Sequence, residues 1–184
     1  MNIVKPKVGK GKGIGANRLD FIDFSLPIIK KSGRCLPHWD QSGKLLYVTA
    51  RLNDSLPSSK IDYIQDLKTK IESADFILKL DDPEEYIKKL DYWLNQGYGK
   101  CWLKYDKIQG IAEEALNFYD EKKYDLFDYV IMPNHLHFII MPYEEMNTIW
   151  GAYKRYTTRK INETLNRKGE LWQKECFDRH IRMV

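Results

Sequence analysis

The chain has 184 residues, 43% hydrophobic and 30% charged, which is enough apolar mass for one compact domain and too little length for two full ones. A disordered chain, a collagen-like repeat and a disulfide scaffold are excluded, and Cys35, Cys101 and Cys176, odd in number and without metal-ligand spacing, suit a reducing compartment. No run reaches the roughly 18 apolar residues of a membrane span, and the basic N-terminus lacks the apolar stretch of a secretion signal, so a soluble cytoplasmic protein is expected.

The net charge of +4 hides an asymmetry: residues 1–34 carry +6, residues 35–150 carry −7 and residues 151–184 carry +5. Clustered Lys and Arg displace counterions from phosphates, so basic ends hint at a polyanionic partner. A solvated surface with a basic tail is the plainer alternative, and charge alone favours it.

In chain order, residues 1–18 read as a flexible stretch whose glycines, Gly9, Gly11, Gly13 and Gly15, lack the Gly-Lys-Ser/Thr ending of a phosphate loop. The organisation expected is a basic flexible arm over 1–33 and a single domain over 34–184. Residues 45–52 (LLYVTARL) are β-formers bounded by turn residues and predict a strand. Apolar spacing through Ile61, Ile64, Leu67, Ile71 and Phe76 predicts a helix over 58–79. A shorter helix starts at Pro83 and exits through the glycines of 95–99. A further amphipathic helix over 107–121 carries Ile108, Ile111, Ala112, Ala115, Leu116 and Tyr119.

Strands follow over 124–132 and 135–141, joined by Pro133-Asn134, then a long helix over 146–165 ended by Gly169, then a mixed segment over 171–181. No internal repeat is present. The order predicts an α+β fold, an antiparallel sheet with helices packed on one face, for which the ferredoxin-like topology is the candidate.

Alternate strand residues share a face, so His135 and His137 project together while Leu136 and Phe138 point the other way. Two imidazoles that close grip a divalent cation naturally; exposed or hydrogen-bonded histidines on a half-buried strand are the plainer alternative. Two of the chain's four histidines fall in this one apolar hairpin, which favours the cation. A histidine-triad hydrolase would need a third histidine where Ile139 stands, and a zinc protease would need two histidines four apart.

If a metal polarises a phosphodiester, a nucleophile must attack, and a phenol oxygen conserves the energy of the broken bond in a covalent phosphotyrosine. Met146, Trp150, Tyr153, Thr157, Ile161 and Leu165 form an apolar stripe on the following helix, so Tyr153 reads as a packed core aromatic. Tyr156 lies about 100° from the stripe centre, among Lys154, Arg155, Arg159 and Lys160, where a phenol can meet a phosphate.

Residues 130–140, VIMPNHLHFII, followed by Tyr156 in YKRYTTRKIN, resemble the single-tyrosine HUH transposases, and most of all the REP-associated tyrosine transposases of bacteria. RCLPHWDQSGKLLYVTARLNDSLP, GKCWL and LWQKECFDRHIR extend the likeness over residues 34–182. The resemblance implies a ferredoxin-like HUH fold in which His135 and His137 hold Mg²⁺ or Mn²⁺. It further implies that Tyr156 attacks single-stranded DNA, leaving a 5′-phosphotyrosine and a free 3′-hydroxyl. Its members recognise hairpins of palindromic repeats and often work as homodimers. Two departures stand out: Lys160 occupies the position of the relatives' third metal ligand, and members usually continue beyond the Asp-Arg-x-Ile-Arg segment, whereas the sequence ends at Val184.

Arg155, Arg159, Lys160, Arg167 and Lys168 are the candidate DNA contacts. Trp150 and Trp172 could stack on bases, although core packing is favoured for both. The function expected is metal-dependent cleavage and transfer of single-stranded or hairpin DNA through Tyr156. The rivals are a degenerate hairpin-binding protein without cleavage and a metal-dependent phosphodiesterase acting on small nucleotides. Target sequence and third ligand are not legible at this level.

Overall fold

The computed structural model describes residues 6–10, 29–32, 37–40, 43–63, 83–174 and 176–181. Cys35, the expected boundary at 33–34 and most of the helix expected over 64–79 lie outside the described residues, although 58–63 are helical. The elements are β1 (Lys7–Lys10), β2 (Ile29–Ser32), β3 (Pro37–Asp40), β4 (Leu46–Arg51), α1 (Pro83–Leu94), a 3₁₀ turn (Trp102–Lys104), α2 (Asp106–Tyr119), β5 (Tyr124–Ile131), β6 (His135–Pro142), α3 (Met146–Thr164) and β7 (Phe177–His180).

Five strands form one antiparallel sheet in the order β1-β5-β6-β4-β7, while β2 and β3 pair separately. Without β1, the core runs β4-α2-β5-β6-α3-β7, with the last strand beside the first. That is the ferredoxin-like α+β topology the order of elements predicts.

Alternation explains why the sheet has two different faces. Leu46, Val48 and Ala50 of β4 and Leu136, Phe138 and Ile140 of β6 are buried against Ile108, Ala112, Ala115 and Leu116 of α2 and Ile149, Trp150, Tyr153 and Ile161 of α3. Each large side chain so buried contributes about 1.5–3 kcal/mol. A bulge between Leu126 and Asp128 shifts the phase of β5, so that Tyr124 and Leu126 before it and Tyr129 and Ile131 after it all turn to this core. Of the helices expected on one face, α2 and α3 lie there, whereas α1 does not. On the other side, Leu90 and Leu94 of α1 make a small second core with Leu56, against which Phe177 of β7 packs.

Two segments of the expected flexible arm are strands, β1 and β2, and β1 joins the main sheet. Lys7–Lys10 pairs with β5 from Lys7 opposite Ile131 to Lys10 opposite Asp128, and the Lys7 ammonium pairs with Glu113. Gly9 is the reason this edge closes: a Cβ there would stand 2.0 Å from Tyr129 Cζ, blocking the phenol that crosses β1 to donate to Glu113 Oε1 at 2.5 Å.

Candidate metal and nucleic-acid site

His135 and His137 leave β6 on the face away from α2 and α3, with ring centroids 4.8 Å apart and planes at 79°. Opposite them on β4, in register, stand Arg51 and Thr49. Tyr47 stacks on the His137 ring at 5.4 Å and sets its hydroxyl 2.7 Å from Nδ1; the Thr49 hydroxyl lies 2.9 Å from the same nitrogen. The Nε2 atom faces Asp91 of α1, 3.9 Å from Oδ1, beyond hydrogen-bond range.

Asn134, in the turn before β6, is 1% exposed, and its side-chain nitrogen donates to the carbonyls of Leu94 and Tyr98, both at 3.1 Å. Those two bonds fix the amide, so its Oδ1 accepts, and His135 Nδ1, 2.8 Å away, carries the donated proton. The Nε2 of His135 is then a bare lone pair, the form in which imidazole binds metal. Burial, with the neighbouring His137 adding to it, pulls His135 down to about 3, and burial pulls His137 down to about 4, so both rings are neutral at pH 7. The approach of His137 to Asp91 is accordingly not an ion pair at neutral pH.

Tyr156 sits elsewhere. Half-buried on α3, it packs against the α2–α3 core on the opposite side of the sheet and donates its hydroxyl to Glu114 Oε1 at 3.0 Å. That hydrogen bond raises the phenol's pKa, so the group is held protonated. Within one chain the structure brings His135 and His137 together and leaves Tyr156 apart from them. Tyr153 is the core aromatic its stripe predicts, buried with its hydroxyl donated to the Ala112 carbonyl at 3.1 Å. Trp150 and Trp172 are core residues too, Trp172 donating to Thr157 Oγ1 at 2.8 Å. Arg155, Arg159 and Lys168 are exposed, while Lys160 and Arg167 are half-buried, the Arg167 guanidinium donating to the Glu170 carbonyl.

Residues 98–181 match the family model of IS200-like transposases. No curated protein matches the sequence. The transposase-like span holds α2, β5, β6, α3 and β7, and with them His135, His137 and Tyr156. It begins after α1 and therefore leaves out Asp91, Tyr47, Thr49 and Arg51.

Such a family implies a divalent cation, and the donor chemistry at the two histidines fits one. His135 offers a lone pair at Nε2, and His137 does the same when its proton sits on Nδ1 between the Tyr47 and Thr49 hydroxyls. Among the described residues, no three His, Cys, Asp or Glu side chains already converge as a metal-binding group. Three features of this site were missed in the sequence. Asn134 read only as a turn residue. Tyr47 read only as a β-former, yet its phenol touches His137. Arg51 and Arg179, on the imidazole face by their register with His135 and Tyr47, lie outside the basic cluster singled out on α3. Cross-strand register could have found all but Asn134, had the strand pairing been known. No described helix is long and apolar enough to cross a membrane.

Proposed function

We propose that this chain is a cytoplasmic, metal-dependent strand transferase or nickase for single-stranded or hairpin DNA, of the REP-associated tyrosine transposase type, working through Tyr156. The observation that carries the reading is the pair of neutral imidazoles on one strand face, inside a span that matches IS200-like transposases. His135 and His137 would hold Mg²⁺ or Mn²⁺, and a bound cation supplies Lewis-acid polarisation of a phosphodiester oxygen.

The remaining chemistry falls to the chain's own groups. The Tyr156 oxygen forms a bond to phosphorus, the bond from phosphorus to the 3′-oxygen breaks, and the 3′-oxygen takes a proton from solvent. The phenolic proton is released to solvent at the imidazole face, because delivery takes the hydroxyl away from Glu114, which accepts from it at 3.0 Å in the undelivered state. The DNA is left joined 5′ to the tyrosine, with a free 3′-hydroxyl. Arg155, Arg159, Lys160, Arg167 and Lys168 would contact phosphates. Because Tyr156 and the imidazoles occupy opposite sides of the sheet in one chain, the phenol is delivered by the second copy of a homodimer.

That same separation favours a second reading, a hairpin-binding protein that no longer cuts. One assay decides between them: end-labelled hairpin DNA is incubated with the protein and Mn²⁺, and covalent protein–DNA adduct is sought. Adduct that disappears in Tyr156→Phe and persists in Tyr153→Phe and Tyr47→Phe supports transfer through Tyr156. Binding without adduct supports the second reading. Adduct lost only in Tyr47→Phe would move the nucleophile to the tyrosine beside His137.

A further inference from the structure

We infer that Asp91 is the third protein ligand of the cation held by His135 and His137, an assignment that rests on the metal reading above. The last turn of α1 is fixed against the start of β6. Leu90 and Leu94 are buried with Leu56, and the Asn134 amide donates to the Leu94 carbonyl at 3.1 Å. One side chain thus orients the His135 ring and anchors the helix that carries Asp91. Asp91 Oδ1 is sealed from solvent and has no hydrogen-bond partner, although the residue as a whole is half-buried. It stands 3.9 Å from His137 Nε2.

A buried carboxylate oxygen beside a neutral imidazole is a costly arrangement, because neither group supplies the positive charge that the oxygen needs. A divalent cation supplies it. Two atoms bound to one octahedral cation at about 2.0–2.1 Å lie about 3 Å apart, so the carboxylate has to close by roughly 1 Å, within the swing of an aspartate side chain. The change in donor set also bears on which metal is taken. Two imidazoles alone suit zinc as well as manganese, whereas an added carboxylate shifts the set toward harder ions such as Mn²⁺. The ligand would come from α1, outside the span shared with IS200-like transposases, and would fill the role that Lys160 cannot.

The test uses the full chain freed of metal and Mn²⁺ alone as the probe, with free Mn²⁺ followed by electron paramagnetic resonance and unfolding followed in parallel. Wild type binds Mn²⁺ and His137→Ala does not. Asp91→Asn binds about tenfold more weakly or worse, comparable with losses at metal-site partners. Without metal it melts no lower than wild type, since the change replaces an unpartnered buried carboxylate by an amide. Asp91→Glu, which keeps the charge, retains binding. If Asp91→Asn binds Mn²⁺ as wild type does while His137→Ala fails, the assignment of Asp91 is overturned and the histidine site stands. If the metal-free Asp91→Asn protein melts well below wild type and Asp91→Glu binds no Mn²⁺, Asp91 is a structural partner of His137 and the assignment is again overturned. If wild type itself binds no Mn²⁺, both fall.

Discussion

Asn134 shows how much one side chain can decide. It donates to two carbonyls and accepts from His135 Nδ1, so replacing it leaves the buried His135 Nδ1 without an acceptor and takes a donor from the Leu94 and Tyr98 carbonyls. Asn134→Ala is expected to destabilise the fold by about 2–3 kcal/mol, read as a lowered denaturant midpoint. It should also weaken Mn²⁺ binding by about 10–100-fold, because the His135 ring loses the bond that sets its tautomer. The histidines carry a pH signature of their own. Their folded pKa values, about 3 and about 4, lie below the usual 6.5, so the unfolded chain takes up protons first as the pH falls. Metal-free protein is therefore fully stable above pH 6.5 and loses stability as the pH drops from there toward 4. Between pH 7.5 and 5.5 each histidine should cost about 1 kcal/mol, and His137→Gln should shrink the difference between denaturant melts at the two values. The shared face of His135 and His137 was legible from alternation alone. The role of Asn134 was not, because its partners, Leu94 and Tyr98, lie some forty residues away and meet it only once α1 has docked.

At the level of elements, long periodic segments could be read and short ones could not. The α3 stripe separated Tyr153 from Tyr156 correctly, since a 19-residue helix states its buried face several times over. Four-residue strands state theirs once or twice. β1 was hidden by Gly9, which suggests a loop until the Tyr129 ring passing over it is known, and β7 was lost in a mixed segment. Missing β7 meant missing Arg179, which register places beside Tyr47 on the imidazole face, where burial and then the Asp91 charge raise the pKa of the Tyr47 phenol and the Arg179 charge offsets only part of that rise. If single-stranded DNA crosses that face, Arg179→Ala should weaken binding across sequences and reduce the slope of log affinity against log salt by about 1. Arg155→Ala, on the helix covering the opposite face, reports on the other side of the sheet. Equal loss in both variants indicates DNA contacting two sides of the protein, and no loss in Arg179→Ala removes β7 from the path.

For the whole molecule the sheet is a partition. Its α2–α3 side is a continuous apolar core that holds Tyr156 near Glu114, and its other side holds two neutral imidazoles, Tyr47, Thr49 and Asp91. A phenol cannot pass through that core without dismantling it, and removal of a single large core side chain already costs about 2–5 kcal/mol. Two routes avoid this: α3 swings around an edge of the sheet, or two chains exchange their helices so that each imidazole pair receives its partner's tyrosine. Mixing variants separates the two routes. A His137→Ala chain and a Tyr156→Phe chain, each expected to form no adduct alone, are combined and allowed to exchange before hairpin DNA and Mn²⁺ are added. Delivery between subunits predicts that adduct returns and is carried entirely by the His137→Ala chain, identifiable by a size tag, because that chain keeps the tyrosine while its partner keeps the imidazoles. Delivery within one chain predicts no recovery in the mixture, since neither chain holds both groups. Continued silence after light-scattering has established exchange between the two chains would sink the homodimeric arrangement and require α3 itself to move.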